Sequence, residues 1–439
     1  MSAQRAQAIA RSLDLANLPE DFYANPYPVY AALRASDPIR RMPDGSYFLT
    51  RYADLVTVYR DAQTFSSDKK VEFAPKYNHA PFNASPWADA HGHAPLYQHH
   101  TTSLVFSDPP LHTRVRKLIM GALTRRTIAD MEPALISLVD SLLDALQLRG
   151  AGDLIEDYAS AIPVEVIGNL LGVPHADRGP LRAWSLAILG ALEPKLSLEQ
   201  ETLANRSVLE MLAYLRDLVR ERRAHPGSPE HDVLTRLIQG EGEHGQLSEA
   251  ELLQNCIFIL NAGHETTTNL IGNALVTLQE WPQEKARLLE QMQAHRGDTQ
   301  AQETLLGLAV DEFLRFESSN QLGNRRALRE CQIAGVPLQA GDLVTLCIGA
   351  ANRDGAQFAD PERLDLMRGH DGDAGGGNRH LAFGLGVHQC AGLSLARLEG
   401  RIAIGRFLAR FPNYRLSAAP VRGRRARFRG FLRAPFVVE

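Results

Sequence analysis

Apolar residues recur at helical spacing through most of this chain and alternate strand-fashion in only a few short stretches. A helical run spans Val29 to Arg34. A strand-like run, Ser46 to Thr50, follows the turn Pro43-Asp44-Gly45, and a second helix covers Tyr52 to Asp61. Met131 to Arg223 reads as largely helical, broken at Gly150-Ala151-Gly152, Gly172-Val173-Pro174 and Gly179-Pro180. Ser248-Glu249-Ala250-Glu251 has the form of a capping box, and the helix it opens runs to about Trp281, where Pro282 stops it. At 1.5 Å per residue that helix is roughly 50 Å long, and its centre is too polar for a membrane span. Alternation returns at Gln332 to Leu338 and in the strand Leu343 to Cys347, and a last helix covers Leu393 to Phe411. The pattern predicts a mainly α fold with a small β portion, one domain over 1–439, without repeats or a long linker.

Composition narrows the function classes. A chain of 439 residues with 44% hydrophobic residues can bury a sizeable core. A net charge of −4 without a basic domain argues against a nucleic-acid partner. The four cysteines, Cys256, Cys331, Cys347 and Cys390, lack CxxC spacing, so neither a zinc site nor a disulfide framework is indicated and a reducing cytoplasm is expected. Met1 to Asn17 lacks the apolar core of a signal peptide or membrane anchor. Val71 to Thr102 reads as irregular, with four prolines and the histidines His79, His91, His93, His99 and His100. A metal site there would need acidic or cysteine partners, so a functional loop is the better reading.

Four local patterns carry chemistry. Asp108-Pro109-Pro110 opens a helix with His112 and Arg116 on one face. Ala262-Gly263-His264-Glu265-Thr266-Thr267-Thr268 breaks helix propensity mid-helix: glycine costs about 1 kcal/mol relative to alanine, and threonine hydroxyls compete for the backbone. Such a local violation marks a functional site. Glu312-Phe313-Leu314-Arg315 sets a carboxylate and a guanidinium on one helix face. Finally, Phe383-Gly384-Leu385-Gly386-Val387-His388-Gln389-Cys390-Ala391-Gly392 holds one cysteine in a glycine-punctuated loop at a helix start. There the helix dipole favours a thiolate, the form a metal ligand needs.

The decapeptide resembles the heme-binding loop of the cytochrome P450 superfamily, Phe-Gly-x-Gly-x-His/Arg-x-Cys-x-Gly, at every fixed position. The three other patterns fall in the order that family has, and the resemblance covers about Asp21 to the end. It implies heme b held between the long central helix and the cysteine loop, with iron ligated by Cys390, whose thiolate favours O–O cleavage. Phe383, Gly384 and Gly392 would shape the loop. His112, Arg116, Arg325 (Arg326 as fallback) and His380 would meet the propionates. Ala262 and Gly263 would leave room for O2, Thr266 would hydrogen-bond the oxygen, and Glu265 would sit on the proton path. Glu312, Arg315 and Arg363 would form a buried structural network. Residues 71–102 become a substrate gate with Phe82, Trp87 and Tyr97 as lining, and about 178–205 a lid. Asn261 either touches substrate or bonds a helix carbonyl. Ser319 stands where relatives usually have proline, beside a substrate wall of Gln321 and Leu322. Arg422 to Arg433, with six arginines, reads as strand-end solvation.

The function implied is monooxygenation of a small organic substrate by O2, with NAD(P)H electrons arriving through a separate ferredoxin and ferredoxin reductase. Arg114 and Lys117 would be docking residues. Oxidative dealkylation, phenol coupling, peroxide-driven oxidation and a non-catalytic heme sensor remain as alternatives.

Overall fold

The structure is a computed structural model and describes residues 1–77, 93–229, 232–240, 247–369 and 379–438. Helix dominates and strand is minor, and no helix among the described residues is long and apolar enough to cross a membrane. The chain divides into two compact units. One comprises Met1–Phe65, Glu132–Ile162 and Thr266–Glu439; the other comprises Ser66–Met131 and Pro163–Glu265.

In the first unit, strands Ile39–Arg41, Tyr47–Leu49, Leu343–Cys347 and Leu322–Ala327 lie side by side in that order, with Phe65 at the far edge. Tyr47–Leu49 runs parallel to Leu343–Cys347, and the other two pairings are antiparallel. Parallel neighbours require a long crossover; here the two strands are almost 300 positions apart in sequence, so the sheet joins both ends of the chain. One apolar cluster gathers Phe22, Tyr27, Tyr30, Phe48 and Leu322, and another Leu55, Val58, Tyr59, Val344 and Leu346. The stretch 331–338 forms the hairpin Cys331–Ile333 with Val336–Leu338.

Three of the six arginines of 422–433, Arg422, Arg427 and Arg429, do not solvate strand ends. Glu317 is buried among Arg429, Arg422 and Arg353: Arg429 Nε donates to its carboxylate, Arg422 Nη1 lies 3.2 Å away and Arg353 Nη2 4.0 Å away. Burial raises the pKa of this carboxyl, but the three guanidiniums more than offset that and bring it down to about 2. Arg427 donates to the Leu322 carbonyl (2.8 Å) and to the Asn324 side chain. Arg422 and Arg429 of the hairpin face inward, where together with Arg353 they neutralise the buried Glu317 carboxylate.

In the second unit, helix Leu181–Gly190 packs on Leu198–Ala224, which Ser197 and Gln200 open with a reciprocal capping box. The stretch 71–102, expected to be irregular, is helical in Lys70–Tyr77 and Pro95–Thr102. Pro95 sits in the first turn, where a proline suits a helix. The central helix, Glu249–Glu280, begins in this unit and ends in the other. Its capping box is present: Glu251 N–H donates to Ser248 Oγ (3.2 Å), and Ser248 N–H to Glu251 Oε2 (2.9 Å).

Candidate active site

The loop before the last helix is a backbone-determined object. Gly384 and Gly386 have φ of +64° and +74°, a region side chains avoid. A β-carbon on Gly386 would lie 2.3 Å from the Tyr59 carbonyl oxygen, so no other residue fits. Cys390 N–H donates to the Phe383 carbonyl (2.8 Å) and Gly384 N–H to that of Leu381 (2.8 Å), closing the loop. Helix Leu393–Arg410 then starts with Gly392 as its cap.

Cysteine burial singles out one thiol. Cys256 and Cys347 are buried, and burial pushes both thiols up to about 12; burial also raises Cys331. None of the four is in a disulfide, and Cys390 alone is exposed. Burial thus disfavours a thiolate at Cys256, Cys331 and Cys347, and Cys390 is the accessible thiol.

The central helix shows the matching feature. From Leu252 to Leu278 every position is buried except Phe258, Ala262, Gly263 and Thr266. Their spacing puts them on one side of the helix. Glu265 beside them is buried. Gly263 also has a packing reason to be glycine: a β-carbon would come within 2.6 Å of Ile167 Cδ1.

Of the cations expected to meet the propionates, Arg325 lies over the Tyr59 ring (5.3 Å), and the Tyr59 carbonyl abuts Gly386. Arg325 and the cysteine loop thus share Tyr59 as a neighbour. His112 is buried and Arg116 half-buried on helix Leu111–Ala122. Arg114, on the same helix, is half-buried and paired with Glu251, and Lys117 is exposed.

Several side chains turn elsewhere. His380 Nε2 donates to Asp311 Oδ1 (3.3 Å) while its Nδ1 accepts from Ala382 N–H (3.2 Å). Both ring nitrogens are thus engaged by protein. Arg397 donates to the same Asp311 oxygen (2.7 Å) and lies over the Phe383 ring (5.0 Å). Burial works against the Asp311 carboxylate, yet His380 and Arg397 hold its pKa below the ordinary value. His380 orders the wall behind Phe383 rather than reaching a cofactor carboxylate. Gln321 is buried, with Nε2 donating to the Ser318 carbonyl (2.7 Å) and to Tyr27 Oη (3.2 Å). Leu322 lies in the apolar core. Neither forms a substrate wall, because the sheet draws both inward.

The structural network has a different third member. Glu312 and Arg315 are fully buried and paired through two hydrogen bonds of 2.7 and 2.8 Å. Arg363 offers Arg315 only its carbonyl (3.0 Å), and its guanidinium is 56% exposed beside Glu284. The guanidinium reaching Glu312 belongs to Arg368, with Nε at 3.1 Å. Sequence reading missed it because Pro-Glu-Arg is the more conspicuous triplet.

Asn261 has a side-chain partner that its sequence context does not suggest. Its Oδ1 accepts from Ser185 Oγ (2.8 Å) on helix Leu181–Gly190, and both residues are buried. Tyr97 is half-buried and stacks on His93 (4.7 Å). Phe82, Trp87, His79 and His91 lie outside the described residues. Among the described residues no cluster of His, Cys, Asp or Glu could hold a metal ion. His99 instead donates through Nδ1 to Gln254 Oε1 (3.0 Å) in the core.

Burial lowers the His99 pKa from 6.5 to about 4. Between those values the unfolded chain binds a proton that the folded chain refuses, so stability falls as pH drops through 6.5 and the loss saturates near 4. We expect wild type to lose on the order of 2 kcal/mol between pH 7 and 5 from this group, seen as a shift in urea midpoint. That pH-dependent difference should shrink in His99→Gln; an unchanged difference would refute it.

The sequence pattern of the Cytochrome P450 family matches residues 193–423. The chain is 37% identical over 403 residues to the vitamin D(3) 25-hydroxylase of Pseudonocardia autotrophica, covering 90% of this chain and 89% of that one. It is 33% identical over 400 residues to the biotin biosynthesis cytochrome P450 of Bacillus subtilis strain 168, covering 90% and 92%. Its fold matches the crystal structure of P450BioI in complex with acyl carrier protein ligated to hexadec-9Z-enoic acid, with TM-score 0.83 and 31% identity over 95% of this chain and 100% of that one. The chain belongs to the cytochrome P450 family. It is a P450 monooxygenase by family, and that family uses heme b, O2 and electrons passed from NAD(P)H through redox partners.

Proposed function

We propose that the chain oxygenates a long, mainly apolar small molecule, with electrons from a ferredoxin and its reductase. The observation that carries this reading is the exposed Cys390 thiol in a loop that only glycines can form. The relatives add the substrate class, since vitamin D(3) and a hexadecenoyl chain are named with two of them.

Bound heme b supplies the O2 binding and the redox chemistry that splits the O–O bond. The chain's own residues do the rest. Cys390 provides the thiolate. Arg325 and Arg116 would provide cationic donors, and His112 a ring N–H, for the two carboxylates of the group. Phe383, Gly384 and Gly392 shape the loop around Cys390. On the central helix, Ala262 and Gly263 leave room, Thr266 Oγ1 presents a proton, and the Glu265 carboxyl replaces it. Asn261, tied to Ser185, helps fix the lid helix, and Tyr97 contributes to the substrate side.

The experiment is an optical titration of the ferric protein with sterols and long-chain fatty acids, then product analysis with a surrogate ferredoxin and reductase. A shift to high spin followed by an oxygenated product supports the reading. Ligand binding without product would favour a sensor.

Thr266→Ala tests the proton assignment. Product formed per NAD(P)H consumed should fall roughly tenfold or more, within the range a positioned proton donor contributes. Heme content should stay as in wild type. Unchanged coupling would remove Thr266 from the proton path.

A further inference from the structure

We infer that Ser319 is a positioning residue for Thr266, anchoring the central helix from outside at that residue. This rests on Thr266 serving the oxygen side of the heme. Ser319 Oγ donates to the Thr266 backbone carbonyl at 2.8 Å. In a regular helix that carbonyl accepts the N–H four residues on, and its second lone pair takes an external donor. Such a donor draws the carbonyl outward and opens the helix locally.

The anchor itself is rigid. Ser319 is buried, and its carbonyl accepts Arg429 N–H (2.8 Å). Ser318 Oγ donates to the Leu314 carbonyl (2.8 Å) and accepts from Asn352 Nδ2 (2.8 Å). Gln321 Nε2 holds the Ser318 carbonyl, and Glu317 is locked among three arginines. The segment 317–321 is therefore pinned by strands and helices from several parts of its unit, so the position of the Ser319 hydroxyl is set before it meets Thr266. With its carbonyl held, Thr266 keeps only side-chain rotation as a variable. Thr266 is half-buried on the uncovered side of the helix, and its chain neighbours Glu265 and Thr267 are buried. A proline at this position would have no hydroxyl and could not make this bond. In this chain the local form of the oxygen-side helix is thus set by a residue on a different element, 53 positions away.

The test needs no substrate. Wild type, Ser319→Ala and Ser319→Thr are reduced under CO, and the CO stretching band is recorded in the infrared; separately, reoxidation of each reduced protein by air is timed. Ser319→Ala should shift or broaden the band and change the reoxidation rate about fivefold, the factor equivalent to one ordinary hydrogen bond. Ser319→Thr, which keeps the hydroxyl, should restore both. Heme content and the thiolate–CO Soret band should be equal in all three, showing that Cys390 is untouched. An Ala variant identical to wild type in both readouts overturns the inference, as does a Thr variant that fails to recover while its Soret band is intact. Failure of wild type itself to give the thiolate–CO band would overturn the heme reading instead.

Discussion

Cys390→Ser should abolish the thiolate–CO Soret band completely and reduce oxygenation to background, whereas Cys331→Ser should leave both intact. The contrast follows from exposure. A thiolate forms where water, a helix start or a cation stabilises negative charge, and is suppressed where burial strips that stabilisation away. Cys256 and Cys347 sit in the core with thiols pushed up to about 12, and Cys331 is raised by burial as well. Cys390 is exposed in the loop that precedes helix Leu393–Arg410. Serine preserves the size of the side chain, and the loop's shape is set by Gly384, Gly386 and backbone hydrogen bonds rather than by sulfur. Loss of the band in a protein that still folds would locate the iron bond at Cys390. Absorption spectra of the reduced CO complexes, with circular dichroism for folding, decide it. A Cys390→Ser protein that keeps the thiolate band would place the ligand elsewhere.

What the sequence made legible has a physical pattern. The loop could be read because its constraints are local: positive φ at two glycines and a cysteine at a helix start are properties of ten consecutive residues. The central helix could be read from its capping box and from Pro282, both local signals, and the uncovered face at Ala262, Gly263 and Thr266 lies within one helical turn. Several of the misreadings concern partners far apart in sequence. Gln321 looks like a polar loop residue, yet it is buried against Tyr27, 294 positions away. Asn261 meets Ser185 at a separation of 76. Arg422, Arg427 and Arg429 of the last hairpin serve carboxylates and carbonyls that only the folded sheet brings near. His380 stands three residues before Phe383, as the family order suggests, but Asp311 on another helix claims its Nε2. Side-chain identity gives no period to count in such cases; tertiary geometry decides.

Arg368→Ala should destabilise the protein by about 3–5 kcal/mol or prevent heme retention, while Arg363→Ala should cost at most about 1 kcal/mol. The two arginines are five residues apart, and sequence alone favours Arg363. The environment of Glu312 reverses that choice. Its carboxylate is fully buried and accepts four donors: Arg315 Nε (2.7 Å), Arg315 Nη2 (2.8 Å), Asp365 N–H (2.9 Å) and Arg368 Nε (3.1 Å). Arg315 in turn spends its remaining hydrogens on the carbonyls of Asn352 and Pro361 (2.9 Å each) and Arg363 (3.0 Å). Arg368 is 7% exposed and also donates to the Ala359 carbonyl (2.6 Å). Removing it takes one cation from a buried carboxylate and leaves a carbonyl unmet, and a buried charge network with a missing member is strongly destabilised. Arg363, by contrast, supplies only a backbone carbonyl that alanine supplies equally well; its side chain loses a 3.6 Å contact to Glu284 that solvent screens. Urea melts of both variants separate the two outcomes. Equal destabilisation would mean that the Arg363 side chain carries more than its geometry shows. A stable Arg368→Ala would mean that Arg315 alone suffices to neutralise Glu312.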